Sequence, residues 1–106
     1  MSNLYRYETK RISIQVYEDY FDVQTRGIIK KFRVDKRVYY KDIEAMDFDY
    51  SEVNGVPFEG CHFDIAGEGR FELVFGLSKK DRDELKRAFL MIKRFRTEVL
   101  MCEWEN

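Results

Sequence analysis

Apolar and polar residues alternate along the first quarter of the chain. Ile12, Ile14 and Val16 stand between Arg11, Ser13 and Gln15, and after Glu18-Asp19 the alternation resumes at Phe21, Val23 and Thr25. A period of two puts one side-chain set in a core and the other in water, so the pattern predicts two half-buried strands joined by a turn. Arg26-Gly27 interrupts it, and a third strand is expected over residues 28–34, with Ile28, Lys30, Phe32 and Val34 opposite Ile29, Lys31 and Arg33. Asp35-Lys36-Arg37 reads as a polar loop, and Val38-Tyr39-Tyr40 as extended chain leading into Lys41-Asp42-Ile43. Met46, Phe48 and Tyr50 alternate with Asp47 and Asp49 in a fourth strand. Asn54-Gly55 is a hairpin signal, because both residues tolerate positive φ. Pro57 then marks a strand start or an edge. Cys61, Phe63 and Ile65 alternate with His62, Asp64 and Ala66, Gly67-Glu68-Gly69 makes a turn, and Phe71, Leu73 and Phe75 form the last strand before Gly76.

The period then changes. Leu85, Ala88, Phe89, Ile92, Phe95 and Val99 recur at steps of three and four, which predicts an amphipathic helix over about 79–102. Ser78 is suited to its N-cap, with Asp81 three residues on in the manner of a capping box. Acids at Asp81, Asp83 and Glu84 and bases at Lys93, Arg94 and Arg96 suit the helix dipole. Strands first and one helix last predict an α+β domain, with the helix covering one face or open end of antiparallel sheet.

A chain of 106 residues is the size of one domain. Its 9 Phe, 7 Tyr and 1 Trp supply enough apolar surface for a core despite 37% charged residues. Two cysteines without paired spacing exclude a disulfide scaffold, and with one histidine they are too few for a structural zinc site. No secretory signal, membrane span or lipidation pattern is recognisable, so a soluble cytoplasmic protein with reduced thiols is expected.

This order of elements resembles the pleckstrin-homology superfold, in particular its short bacterial PH-like members, over roughly residues 10–97. A first hairpin (Arg11 to Thr25) leads to a third strand, Tyr40-Lys41-Asp42-Ile43-Glu44-Ala45-Met46 leads into the fourth, Asn54-Gly55 opens a hairpin ending in Phe71-Glu72-Leu73-Val74-Phe75, and one amphipathic helix closes the chain. The resemblance implies two near-orthogonal antiparallel sheets, six to seven strands in a partly open barrel, plugged by the helix. Six strands are evident, and residues 38–40 or 56–58 are the candidates for a seventh. The resemblance also implies a binding module for lipid headgroups, peptides or proteins rather than an enzyme.

Charge sharpens the functional reading. Residues 1–41 carry 10 Lys/Arg against 5 Asp/Glu, residues 42–78 carry 1 against 9, and residues 79–106 carry 8 against 6, so a net charge of −1 hides an electrically polar molecule. A dedicated duplex-binding domain is strongly basic overall, which disfavours nucleic acid. Near-zero net charge likewise weakens attraction to an anionic membrane. Arg26, Lys30, Lys31, Arg33, Lys36 and Arg37, with Lys41 beside them, are candidates for an anionic ligand such as a lipid headgroup or nucleotide, or for a protein partner. The Lys31-Phe32-Arg33 triplet is similar to part of the phosphate-gripping motif of some PH domains. Asp42, Glu44, Asp47 and Asp49, continued by Glu52, are candidates for an acidic face docking a basic partner, as in a small inhibitor or immunity-type protein. Leu90, Val99, Leu100, Met101 and Trp104 lie off the main stripe or beyond Arg96, where the stripe is expected to leave the core. They are candidates for self-association as a homo-oligomer. Cys61 and His62 are adjacent on a strand and point to opposite faces, so they make no nucleophile–base pair. Gly67-Glu68-Gly69 lacks the helix and lysine of a phosphate cradle. No catalytic motif is present. The expectation is a non-enzymatic adaptor without cofactor or metal, acting through protein–protein contact.

Overall fold

The computed structural model describes residues 3–26, 33–75 and 78–105, the side chains of 53 and 102–105 excepted. The order is β1 (Tyr5–Glu8), β2 (Ile12–Val16), β3 (Tyr20–Thr25), β4 (Asp35–Tyr39), a 3-10 turn (Tyr40–Asp42), β5 (Ile43–Val53), β6 (Val56–Ile65), β7 (Gly69–Val74) and α1 (Lys79–Glu105). The strands make two antiparallel sheets, ordered β1-β2-β3-β4 and β5-β6-β7. No ladder joins them into a closed barrel among the described residues.

The pattern-based strands are found where period two is cleanest. Asn54 (φ 52°) and Gly55 (φ 79°) are both left-handed, which matches the right-handed twist of the strands they join, and Val53 pairs with Val56 across them. Ser78 caps α1 by accepting the Asp81 N–H at 3.3 Å. The Asp81 carboxylate does not close a capping box; it accepts the Tyr7 hydroxyl instead.

Three expectations are corrected, and a fourth falls mostly outside the described residues. The sheet begins at Tyr5, not near Arg11: Tyr5 and Tyr7 turn toward α1 while Arg6 and Glu8 are exposed, which adds an N-terminal strand, and of the seventh-strand candidates Val38 and Tyr39 fall in β4 while 56–58 open β6. Asp35-Lys36-Arg37 is not a loop but the first part of β4, in register with β3 from Gln24↔Asp35 to Tyr20↔Tyr39. Of the third strand expected over 28–34, residues 28–32 lie outside the described residues, and Arg33 and Val34 precede the strand. The helix also runs to Glu105, beyond the expected end near Cys102.

One core joins both sheets to the helix. Leu85, Ala88, Phe89 and Ile92 are buried with Ile14, Val16, Phe21, Met46, Phe63 and Leu73, while Phe71, Phe95 and Val99 pack against them half-buried. Phe63 is central: its ring lies 5.1 Å from Phe21, 5.1 Å from Phe71 and 5.9 Å from Phe89. Buried Tyr40 stacks on Phe95, and its hydroxyl donates to the Tyr17 and Tyr20 carbonyls, which satisfies a polar group that burial would otherwise penalise. No described helix is long and apolar enough to cross a membrane.

Candidate functional site

The second sheet ends on β5, an 11-residue strand with a strand neighbour on one side only among the described residues. Its start is tied off. The pairing with β6 slips between Ile43 and Ala45, a β-bulge that frees backbone acceptors. Arg96 reaches back from α1 to fill them, with Nε donating to the Ile43 carbonyl at 3.1 Å and Nη2 to the Glu44 carbonyl at 2.8 Å. Arg96 therefore seals the helix against β5, and the apolar stripe does not leave the core there: Val99 still packs against it.

Past the bulge the edge is open among the described residues. The Asp47 carboxylate accepts the Phe48 N–H at 2.8 Å, which places the backbone groups of Phe48 on the side away from β6. Antiparallel alternation then turns those of Met46, Tyr50 and Glu52 the same way. On the inner face of this edge Phe48 is 40% exposed, Tyr50 67% and, on the adjoining flank of α1, Leu90 55%. Together with Phe75, Glu59 and Lys86 they line a mainly apolar groove. Lys86 donates to Glu59 at 3.0 Å and holds that carboxylate at the groove's end.

The outer face is acidic. Asp47, His62 and Glu72 stand in register across the three strands, and Asp49 sits two residues on from Asp47. His62 Nδ1 lies 2.9 Å from Asp49 Oδ1. Cys61 points the other way into the core, and burial pushes its thiol well above the ordinary range, so it is no thiolate nucleophile. Asp42 departs from the acidic face drawn from sequence: it belongs to the 3-10 turn, not to the strand. Glu44 is exposed at the bulge. Among the described residues no three His, Cys, Asp or Glu side chains gather as a metal site.

Among the described residues the basic candidates do not all gather at one place. Arg37 forks onto Asp22 at 2.8 and 3.0 Å and lies 4.3 Å over the Tyr20 ring, and the Asp22 hydrogen bond raises its already high pKa. Arg26 lies 3.7 Å from Glu8. Lys36 points to the other side of β4, 3.5 Å from Glu68 and over the Phe71 ring. Arg33 and Lys36 share the rim of a second groove with Arg11 and Arg70, over Ile12, Val34 and Phe71. Lys30 and Lys31 lie outside the described residues.

At the helix end Met101 is 59% exposed and Leu100 39%. Val99 is not available as they are, being packed on its own core. The Trp104 side chain lies outside the described residues.

Sequence reasoning missed the Arg96 clasp, the Asp49–His62 pair and the tyrosines of β1. A signal existed for two of these. Arg96 falls inside an apolar stripe, where a cation needs acceptors, and Tyr5-Arg6-Tyr7-Glu8 alternates like the later strands. The Asp49–His62 pair depends on the register of β5 on β6, which no local pattern states. Comparison with known protein families, curated proteins and solved structures returns no match.

Proposed function

We propose that the chain is a non-catalytic, PH-like binding module that acts by protein–protein contact, and that the open edge of β5 is its docking strand. The carrying observation is the coincidence of an edge without a strand partner among the described residues, exposed Phe48, Tyr50 and Leu90, and the carboxylates of Asp47 and Asp49 on one strand. Four antiparallel strands, three more and a terminal helix support the PH-like reading. An open edge offers main-chain hydrogen bonds to an extended segment, and pockets for alternate side chains lend selectivity. The charge selects the occupant. Pairing β5 with β5 of a second copy sets Asp47 and Asp49 against the same acids, a destabilising arrangement of like charges. A basic partner removes that repulsion.

Backbone amide NMR during titration with a basic, extended polypeptide tests this reading. Shifts concentrated at Met46 to Glu52 are expected, and shifts confined to β4 or absent altogether refute it. A separate contact is favoured by exposed Leu100 and Met101: self-association through the helix end. Sedimentation at rising concentration tests it, with a monomer throughout as the refuting result. The anionic-ligand alternative has less support, since Arg26, Lys36 and Arg37 each face a carboxylate of their own chain. Binding of anionic vesicles at low salt, abolished by Arg33→Glu with Lys36→Glu, is the outcome that would restore it.

A further inference from the structure

The docking edge also carries a selection rule. We infer that β5 takes a partner strand in which basic and apolar residues alternate one by one. This rests on the docking reading above and adds the sequence pattern of the partner.

The two faces of β5 beside the open edge differ in chemistry. The inner face presents Phe48 and Tyr50 beside Leu90. The outer face presents Asp47 and Asp49 beside His62 and Glu72. A strand laid against β5 continues the pleat, so its successive side chains fall on the inner and outer faces in turn. An apolar side chain on the inner face covers exposed Phe48, Tyr50 and Leu90. Its neighbours on the outer face meet carboxylates, where Lys or Arg is favoured and Asp or Glu repelled. A one-residue slip would set cations on the apolar groove and apolar groups on the acids, so register follows from composition.

Asp47 adds a second element. In the unbound chain its carboxylate occupies the Phe48 N–H, the donor an incoming strand needs. A partner carbonyl replaces it there, and the released carboxylate turns to the partner's cation. The acid thus guards the edge when it is empty and becomes a contact when it is filled. Such a guard opposes self-pairing of an open strand with apolar neighbours.

The test uses the full chain and two short acetylated peptides of equal composition, one alternating Lys and Val, the other with all Lys before all Val. The alternating peptide is expected to bind about tenfold or more tightly than the block peptide, with a marked loss at high salt. The Phe48 amide is expected to shift most. In the alternating case D47N with D49N should weaken binding about tenfold and flatten the salt dependence, and L90D should weaken it with the salt dependence kept. Equal binding of both peptides at Met46 to Glu52 overturns the alternation rule and leaves the docking strand standing. Failure of both peptides to perturb those amides overturns the docking strand itself.

Discussion

The two sheets manage their edges and charges differently. In the four-stranded sheet the charged side chains answer one another: Arg37 holds Asp22, while Arg6 and Arg26 converge on Glu8. Its first edge, β1, is fastened to the helix by Tyr5 on Glu84 and Tyr7 on Asp81. In the three-stranded sheet Arg96 fastens only the first residues of edge strand β5, and beyond them the guard on the edge is the strand's own Asp47. The second sheet has internal pairs too, Arg70 on Asp64 and His62 beside Asp49, but its edge strand also sets acids and exposed aromatic rings side by side. The contrast is what favours β5 over the cations of the first third of the chain in the proposed reading, although those cations are the more conspicuous feature of the sequence.

The largest effect is expected where the two sheets meet. Phe63→Ala should cost about 3–5 kcal/mol in denaturant unfolding, because the ring is shared by both sheets and the helix. Loss confined to β5–β7 in hydrogen exchange would show instead that the sheets are separable. Next is Gly60→Ala. A Cβ there would lie 2.3 Å from the Leu73 carbonyl oxygen, a backbone atom that moves only if β6 and β7 part. A loss of roughly 2 kcal/mol or more is expected. Arg96→Met keeps the aliphatic stem but strips two hydrogen bonds from the β5 bulge, and should cost about 1–3 kcal/mol while speeding amide exchange at the start of β5. Unchanged exchange there would contradict the clasp.

Smaller effects follow from pH. The hydrogen bond to Asp81, with some burial, holds Tyr7 up to about 12 from its ordinary value of 10.0. A raised native pKa means that this stabilisation is complete below about pH 10 and is lost as pH climbs toward 12. Tyr5 moves the same way, mainly through burial and then through Glu84. Stability should therefore fall in this alkaline window, and Tyr7→Phe should flatten the fall. At the acid end Arg6 holds Glu8, and Arg70 holds Asp64, below the ordinary carboxylate range. Their contributions are present above that range and fade as pH drops through the lowered values. Both pairs are exposed, so the acid effect is the slightest of the set.

The chain by itself determines the local periods and their breaks. Period two from Ile12 to Thr25 and from Met46 to Phe75, left-handed Asn54-Gly55, capping Ser78 and the stripe from Leu85 to Ile92 are each decided within a few residues, because pleat, turn and helix sterics act at that range. The first strand was equally readable at Tyr5-Arg6-Tyr7-Glu8, but its apolar face is made of tyrosines whose partners lie on the far side of the chain. Asp35-Lys36-Arg37 misleads for the opposite reason: its charges suit a loop, and only register against Asp22 and proximity to Glu68 make a strand of them. The acids of β5 could be identified in advance as a polar face, but their significance could not. Which strand lies at an edge, which carbonyls a bulge frees for Arg96, and whether Leu90 stands beside Phe48 all depend on strand order and helix placement. Those are settled by the packing of residues far apart in the chain, and that packing alone makes a row of carboxylates a candidate site.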